Sequence, residues 1–152
     1  MFTFFKKTLV SSFAILSLIS VPAPLYASQF VTVTKDNVNV RTGPSANTAV
    51  RLQVFKGYPL KVLSKKGGWY KVSDFEHDQG WIADFLTKSN DTVIVDVKNY
   101  AYIRAQPNAK SDAVATVDRG VVLTKTGIQG DWIQVRHSSG ISGWIFGKLV
   151  WP

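Results

Sequence analysis

The sequence repeats itself after 63 residues, and this internal repeat constrains the fold more than any other feature. A shift of 63 places Val40-Arg41 on Ile103-Arg104, and Gly80-Trp81-Ile82 on Gly143-Trp144-Ile145. Further matches, without a gap, join Pro44 to Pro107, Gly57 to Gly120, Leu60 to Leu123, Gly67 to Gly130, Trp69 to Trp132, Val72 to Val135 and Leu86 to Leu149. The matched residues are apolar positions, turn glycines and large aromatics, which specify folds. Two copies of so long a period predict two small domains in tandem, because a solenoid needs at least about three shorter units.

The first 27 residues differ in character from the rest of the chain. Lys6 and Lys7 precede an apolar run over residues 8–21, and a Pro-containing stretch then ends at Ala27. This order predicts a secretory signal peptide that is cleaved after Ala27. The apolar run is shorter than the roughly 20 residues that span a bilayer, and an uncleaved N-terminal anchor is the alternative. We expect an exported protein, periplasmic or extracellular, with no stable membrane span once the signal is removed.

Composition narrows the classes of partner and chemistry. The chain has no cysteine, which excludes disulfides, thiolate metal sites and thiol nucleophiles. Lys plus Arg number 18 against 10 Asp plus Glu, and Lys6 and Lys7 account for two of the 18. The remaining excess is spread over both repeats, which suits an anionic neighbour such as a cell-wall polymer or simply a soluble surface. Export, and the absence of basic clusters beyond Lys65-Lys66, argue against a nucleic-acid partner.

Both repeats are patterned as short β-strands. Val, Ile, Trp and Tyr alternate with polar residues, and loops rich in Gly, Pro, Ser and Asn separate these runs. The expected strands are 30–34, 37–41, 50–55, 60–64, 69–73 and 79–83 in the first repeat, and 92–97, 101–104, 113–118, 121–126, 131–136 and 142–146 in the second. No segment after residue 27 keeps a helical period for three turns. The pattern predicts an all-β protein with one small barrel in each repeat.

A family resemblance follows from the order of the motifs. The first repeat reads NVNVRTGPS, GGWYKV, QGWI and a closing Leu, and the second reads YAYIRAQPN, GDWIQV, SGWI and Leu. This order is similar to the bacterial SH3 family, and in particular to small exported proteobacterial proteins with paired SH3-like regions. The resemblance implies two tandem SH3-like β-barrels, at 28–88 and 91–152, after a signal peptide at 1–27. The short link Ser89-Asn90 predicts restricted relative motion and makes the groove between the barrels a further candidate site.

Aromatic residues beside glycine turns are candidate ligand contacts. Trp69 and Trp132 each follow a glycine turn at matching places, and Tyr70 follows Trp69. A half-exposed ring suits stacking on a sugar or an extended peptide, because a flat apolar face needs little orientation. The resemblance implies a ligand surface near these positions in members that bind cell-wall peptide. Trp81 and Trp144 are expected instead to complete the two cores.

Arg41 and Arg104 end matching strands and leave two interpretations open. A guanidinium fork there would pair with a carboxylate, such as those of peptidoglycan stem peptides. The favoured alternative is a hydrogen bond that fixes the following loop, because the arginine is kept in the otherwise divergent second repeat. Asn39 lies on the same strand as Arg41, and Tyr102 takes its place in the second repeat. A site that uses Asn39 therefore differs between the repeats.

Catalysis and metal binding lack the residues that they need. Asp74, Glu76 and Asp78 resemble half of a calcium loop, but the glycine spacing is one too long and the later glutamate is missing. A polar hairpin tip is the better interpretation. His77 and His137 lie in different repeats without a second ligand at metal spacing. Glu76 is the only glutamate, and no G-x-S-x-G motif is present. We expect a non-catalytic protein with no metal and no cofactor.

Two functions remain compatible with the sequence. The first is a non-catalytic exported SH3-like binding protein that contacts cell-wall peptidoglycan or a cell-wall enzyme, and it predicts that Arg41 or the candidate tryptophans line a groove. The second is a structural or adaptor protein that docks on another exported protein without affinity for the wall. It predicts a broad apolar patch around Phe85, Phe146 and Trp151.

Overall fold

The computed structural model describes residues 29–152, so the expected signal peptide lies outside the described residues. The first repeat forms seven strands: β1 (Phe30–Val33), β2 (Val38–Arg41), β3 (Val50–Val54), β4 (Pro59–Lys66), β5 (Trp69–Ser73), β6 (Gln79–Ala83) and β7 (Thr87–Ser89). The second forms β8 (Thr92–Val95), β9 (Tyr100–Arg104), β10 (Ala113–Asp118), β11 (Val122–Gln129), β12 (Trp132–Arg136), β13 (Ser142–Phe146) and β14 (Val150–Trp151). A 3₁₀ turn precedes the last strand of each repeat, at Asp84–Leu86 and Gly147–Leu149. Within 29–152, no helix has the length and apolarity needed to cross a membrane.

The two repeats share one antiparallel topology. The strand order is β3-β2-β6-β5-β4-β1-β7 in the first and β10-β9-β13-β12-β11-β8-β14 in the second, which is the same order seven strands later. This confirms the predicted all-β class with two tandem small barrels. The short closing strands β7 and β14 were not predicted, because Thr87–Ser89 and Val150–Trp151 are too short to show a period.

Each barrel encloses its own apolar core of eight buried residues. The first core consists of Val31, Val33, Val38, Val40, Val54, Leu60, Val72 and Ile82. The second consists of Val93, Val95, Ala101, Ile103, Val117, Leu123, Val135 and Ile145. Six pairs are separated by 63 residues, so the repeat in the sequence is chiefly a repeat of core positions.

The first strand departs from the 63-residue correspondence by one position. Val31 pairs with Leu60, whereas the residue that pairs with Leu123 is Val93, only 62 positions after Val31. Between matching core positions, the second repeat therefore has one more residue (Val95 to Ala101) than the first (Val33 to Val38). The gapless match is wrong before Val38. Strand β9 begins one residue earlier than β2 and takes up the extra residue, so the connecting loop has four residues in both repeats.

Trp81 and Trp144 do not complete the cores, and that prediction was wrong. Ile82 and Ile145 are fully buried inside the barrels, while both tryptophans are only partly buried. Since successive side chains of a strand point to opposite faces, a buried isoleucine directs the preceding tryptophan outward. The outward face of Trp81 lies beside Arg41, its partner in the neighbouring strand.

The barrels contact each other through buried hydroxyl groups near the link. The Thr92 hydroxyl donates to the carbonyl oxygen of Gly57 at 2.7 Å and lies 3.0 Å from the Thr32 hydroxyl. The Thr32 hydroxyl donates to Asn90 Oδ1 at 2.8 Å. Both threonines are buried. These bonds hold the two barrels directly against each other, since Gly57 and Thr32 belong to the first and Thr92 to the second.

Two further contacts extend the interface. The ring of Phe30 in β1 meets that of Trp151 in β14 edge to face, with centroids 5.2 Å apart. Arg119, in the turn before β11, donates from Nη2 to Glu76 Oε1 at 3.2 Å. Its guanidinium lies 4.9 Å from the centroid of the Phe75 ring. The interface thus has a polar centre, an aromatic contact and an ion pair.

Candidate functional site

Three of the predicted site residues meet in one groove on the first barrel. This first-barrel groove has a volume of about 400 Å³. Asn39, Arg41 and Trp69 line it, together with Ala83 and Phe85. Its remaining lining residues are Lys35, Asp36, Asn37, Val38, Ala46 and Leu86. The groove therefore combines amide, guanidinium and aromatic groups within reach of one ligand.

Strand pairing explains why these side chains share a face. Trp69 in β5 is the direct partner of Ala83 in β6, and Arg41 in β2 is the direct partner of Trp81, two residues before Ala83. Residues that lie two apart on a strand point the same way. Because Ala83 has only a methyl group, it leaves space beside the Trp69 ring. Phe85, in the 3₁₀ turn that follows, is 78% exposed and forms part of the wall.

Arg41 is held by the loop that follows its strand. Its Nη1 donates to the carbonyl oxygen of Thr48 at 2.8 Å. The second repeat keeps the bond, with Arg104 Nη1 donating to the carbonyl oxygen of Ser111 at 2.7 Å. The same pairing in both repeats supports the favoured interpretation, in which the arginine fixes the loop. Arg41 also lines the groove, so its remaining N–H groups lie beside it.

The substitution Arg41→Lys should lower the free energy of unfolding by about 1 kcal/mol, because an ammonium does not reproduce the bond to Thr48. Urea denaturation measures this, with Arg51→Lys on the exposed face of β3 as the matched control. Unchanged stability in Arg41→Lys would contradict the loop-fixing role and return Arg41 to direct ligand contact.

Tyr70 lies apart from the first-barrel groove. It follows Trp69 on the same strand, so its ring points to the opposite face and packs against the first core. The Lys65 ammonium lies 5.3 Å from the centroid of the ring and pairs with Asp84 at 3.0 Å. Tyr70 therefore lies beside an ion pair and does not line the groove that contains Asn39 and Arg41.

The second barrel carries bulkier side chains at the matching positions. Phe146 replaces Ala83, and its ring packs against that of Trp132 with centroids 5.4 Å apart. Tyr102 replaces Asn39, and the Arg104 guanidinium lies 5.5 Å from the centroid of its ring. The aromatic face that Trp69 presents to its groove is thus covered by a neighbouring ring at Trp132.

Ala83 and Phe85 are the groove residues that sequence reasoning missed. The tryptophans and arginines are prominent in the repeat, whereas an alanine gives no signal of its own. Comparison of the repeats offered a signal, since Ala83 aligns with Phe146 and Phe85 with Lys148. Where the side chain differs in size between the two repeats and its neighbours are the same, the two barrels differ in surface shape.

The acidic segment forms a hairpin tip, as the sequence predicts. Asp74 is buried, and its Oδ1 accepts the backbone N–H groups of Glu76 at 3.0 Å and Asp78 at 2.8 Å. The Tyr58 hydroxyl donates to Asp74 Oδ2 at 3.4 Å. Burial, together with the Asp74 carboxylate, raises the pKa of the Tyr58 hydroxyl well above its usual value. Over residues 29–152, no three His, Asp or Glu side chains come together as metal ligands.

A second and larger groove lies between the barrels, as the short link suggests. This inter-barrel groove has a volume of about 870 Å³. The turn Phe55–Gly57 forms one wall, and the segment 136–138 with Gly140 forms part of the other. Asp36 is the residue that lines both grooves.

Both barrels match a known family of domains. A sequence profile described as a bacterial SH3 domain matches residues 34–87, and a second profile of the same description matches residues 99–150. The chain is 23% identical over 129 residues to the putative N-acetylmuramoyl-L-alanine amidase YrvJ of Bacillus subtilis, covering 78% of this chain and 24% of that protein. It is 40% identical over 58 residues to the probable cell wall amidase LytH of Staphylococcus aureus, covering 38% of this chain and 20% of that protein.

A solved structure of an NlpC/P60 family protein from Bacillus cereus has 14% sequence identity and a TM-score of 0.39, over 80% of this chain and 55% of that chain. The chain spans about a quarter or less of the length of the two curated relatives. The matched regions are those that fold into the two barrels. The chain belongs to the bacterial SH3 domain family, with two such domains in tandem.

Proposed function

We propose that this protein is a non-catalytic, exported binding protein that attaches to cell-wall peptidoglycan through the first-barrel groove. The observation that carries the proposal is the open face of Trp69, which has Ala83 beside it and Asn39 and Arg41 in the same groove. An aromatic face flanked by hydrogen-bonding groups suits a ligand with alternating apolar and polar surfaces, such as a sugar ring or an extended peptide.

The names of the relatives support the choice of ligand. One relative is named as a probable cell wall amidase and the other as a putative N-acetylmuramoyl-L-alanine amidase, and this chain resembles a fraction of each. In an alternative form of this proposal, the same groove binds a cell-wall enzyme instead of peptidoglycan.

Co-sedimentation of residues 28–152 with purified insoluble peptidoglycan tests the proposal. We expect retention that survives high salt, and Trp69→Ala should weaken it about tenfold because the ring supplies most of the apolar contact. Ala83→Phe should weaken retention to a similar extent, since it places beside Trp69 the ring that already covers Trp132. Full recovery of the unsubstituted protein in the supernatant would overturn wall binding.

The second barrel offers a matched control for Trp69→Ala and suggests one further variant. Trp132→Ala removes an equivalent ring whose face is already covered, so retention should be unchanged. Phe85→Lys reproduces the residue of the second barrel on the groove wall and should give an intermediate loss. Equal losses in Trp69→Ala and Trp132→Ala would place the binding surface elsewhere.

The adaptor function remains the second candidate, and the apolar surface bears on it. Phe85 is exposed, whereas Phe146 packs against Trp132 and Trp151 packs against Phe30. The three rings therefore do not form one broad apolar patch, because Phe146 and Trp151 pack against other rings of the protein.

A further inference from the structure

At two places in the interface, a turn of one barrel meets the hairpin tip of the other. The barrels exchange roles between these two meetings. In the first meeting, the turn of the second barrel that carries Arg119 meets the hairpin tip of the first barrel, at Phe75 and Glu76. In the second, the turn of the first barrel that carries Lys56 faces the hairpin tip of the second barrel across the inter-barrel groove. Lys56 and Arg119 are equivalent by the 63-residue shift.

The first meeting is closed by side chains. Arg119 donates to Glu76 at 3.2 Å, lies over Phe75 and also binds Asp96. The hydrogen bond to Asp96, with that to Glu76, raises the pKa of this guanidinium above its usual value. A cation from one barrel is thus satisfied by an aromatic ring and a carboxylate of the other.

The second meeting lacks those partners. Ser138 stands where Phe75 stands in the first repeat, and Ser139 stands where Glu76 stands. Over residues 29–152, the ion pairs include neither Lys56 nor Arg136, and both side chains are exposed at the groove. In the first meeting, the Phe75 ring and the Glu76 carboxylate fill the space beside the cation. The matching space in the second meeting is open and belongs to the groove of about 870 Å³.

The charged side chains of the inter-barrel groove are three cations and the two carboxylates Asp36 and Asp91, which leaves one net positive charge. Lys88 and Asp91 pair with each other. The remaining acid, Asp36, accepts the backbone N–H of Lys56 at 2.9 Å with one of its oxygens. Lys56 on the first barrel and Arg136 on the second are then the cations available to a ligand, one on each wall. His137 lies beside Arg136 on the same wall, and its Nδ1 accepts the backbone N–H of Ser139 at 3.2 Å.

We propose that the inter-barrel groove binds an acidic peptide segment, with Lys56 and Arg136 as its two charge anchors and the exposed Phe55 ring as its apolar contact. The chain itself shows the chemistry, since Asp74-Phe75-Glu76 supplies a carboxylate and a ring to Arg119 in the closed meeting. A peptide is favoured over a phosphate polymer because the lining combines an aromatic ring and Val121-Val122 with the two cations. This site is separate from the first-barrel groove, although Asp36 lines both.

Nuclear magnetic resonance titration of ¹⁵N-labelled residues 28–152 tests this site. The probe is the acetylated and amidated tripeptide Asp-Phe-Glu, and the control is the neutral tripeptide Asn-Phe-Gln. We expect the acidic peptide to shift the amide signals of residues 55–57 and 136–140, and the neutral one to bind at least fivefold more weakly. Shifts of equal size with both peptides, or with inorganic phosphate, would overturn the assignment.

Four variants distinguish this site from the first-barrel groove. Lys56→Gln and Arg136→Gln should each weaken the acidic peptide about threefold, as expected for one exposed ion pair. Ser139→Glu restores the residue found in the closed meeting, so it should block the peptide while leaving both cations in place. Trp69→Ala should leave the titration unchanged, and a loss of binding in that variant would contradict the proposal.

Discussion

Gly80→Ala should lower the free energy of unfolding by about 3 kcal/mol, near the upper end for overpacking a core. A Cβ at Gly80 would lie 2.4 Å from Val40 Cγ1 and 2.9 Å from the carbonyl oxygen of Arg41. Val40 is a fully buried core residue, so it has little room to move. The equivalent Gly143 is just as crowded, with the Arg104 carbonyl oxygen at 2.6 Å. Urea denaturation followed by tryptophan fluorescence measures the change.

Gly67→Ala is the matched control for this prediction. Gly67 has a φ of +50° but no atom within 4 Å of an added Cβ, so the cost there is roughly 1 kcal/mol of backbone strain. The comparison separates crowding from conformation. A smaller loss in Gly80→Ala than in Gly67→Ala would show that β2 and β6 can move apart, against the close packing described above.

Asp74→Ala should also lower the free energy of unfolding by about 3 kcal/mol, because three donors lose the buried carboxylate that accepts their hydrogen bonds. The backbone N–H groups of Glu76 and Asp78 and the Tyr58 hydroxyl all donate to this carboxylate. The hairpin tip that Arg119 contacts should loosen with it. Thermal unfolding and amide hydrogen exchange of residues 74–78 measure the effect.

Two variants give this prediction its controls. Asp74→Asn keeps an oxygen acceptor for the backbone N–H groups, so it should recover more than half of the lost stability. Asp78→Ala changes an exposed side chain of the same tip and should stay within about 0.5 kcal/mol of the parent. If Asp78→Ala were as damaging as Asp74→Ala, the tip would depend on its total charge and not on the hydrogen bonds of one carboxylate.

The barrels were predictable because the repeated residues are the core residues. Val40, Leu60 and Val72 recur as Ile103, Leu123 and Val135, and burial at matching strand positions leaves few other ways to fold. The error at Trp81 has a physical cause. Size and hydrophobicity suggest burial, but the adjacent Ile82 already occupies the inward position of the strand.

The grooves were less predictable than the barrels because they depend on positions where a bulky or charged side chain is absent. Trp69 and Arg41 could be named from the sequence, but Ala83 matters through its small size and Ser139 through the carboxylate that it lacks. Such positions become visible only when strand pairing shows what stands next to them. The one-residue change at the start of β9 escaped notice because the residues that match between the repeats begin only at Val40.

The contact between Phe30 and Trp151 has a mechanical consequence. Phe30 lies at the start of the first strand and Trp151 in the last, so the two ends of the folded region are held side by side. A pulling force applied to those ends would therefore have to separate the two rings before the ends could move apart.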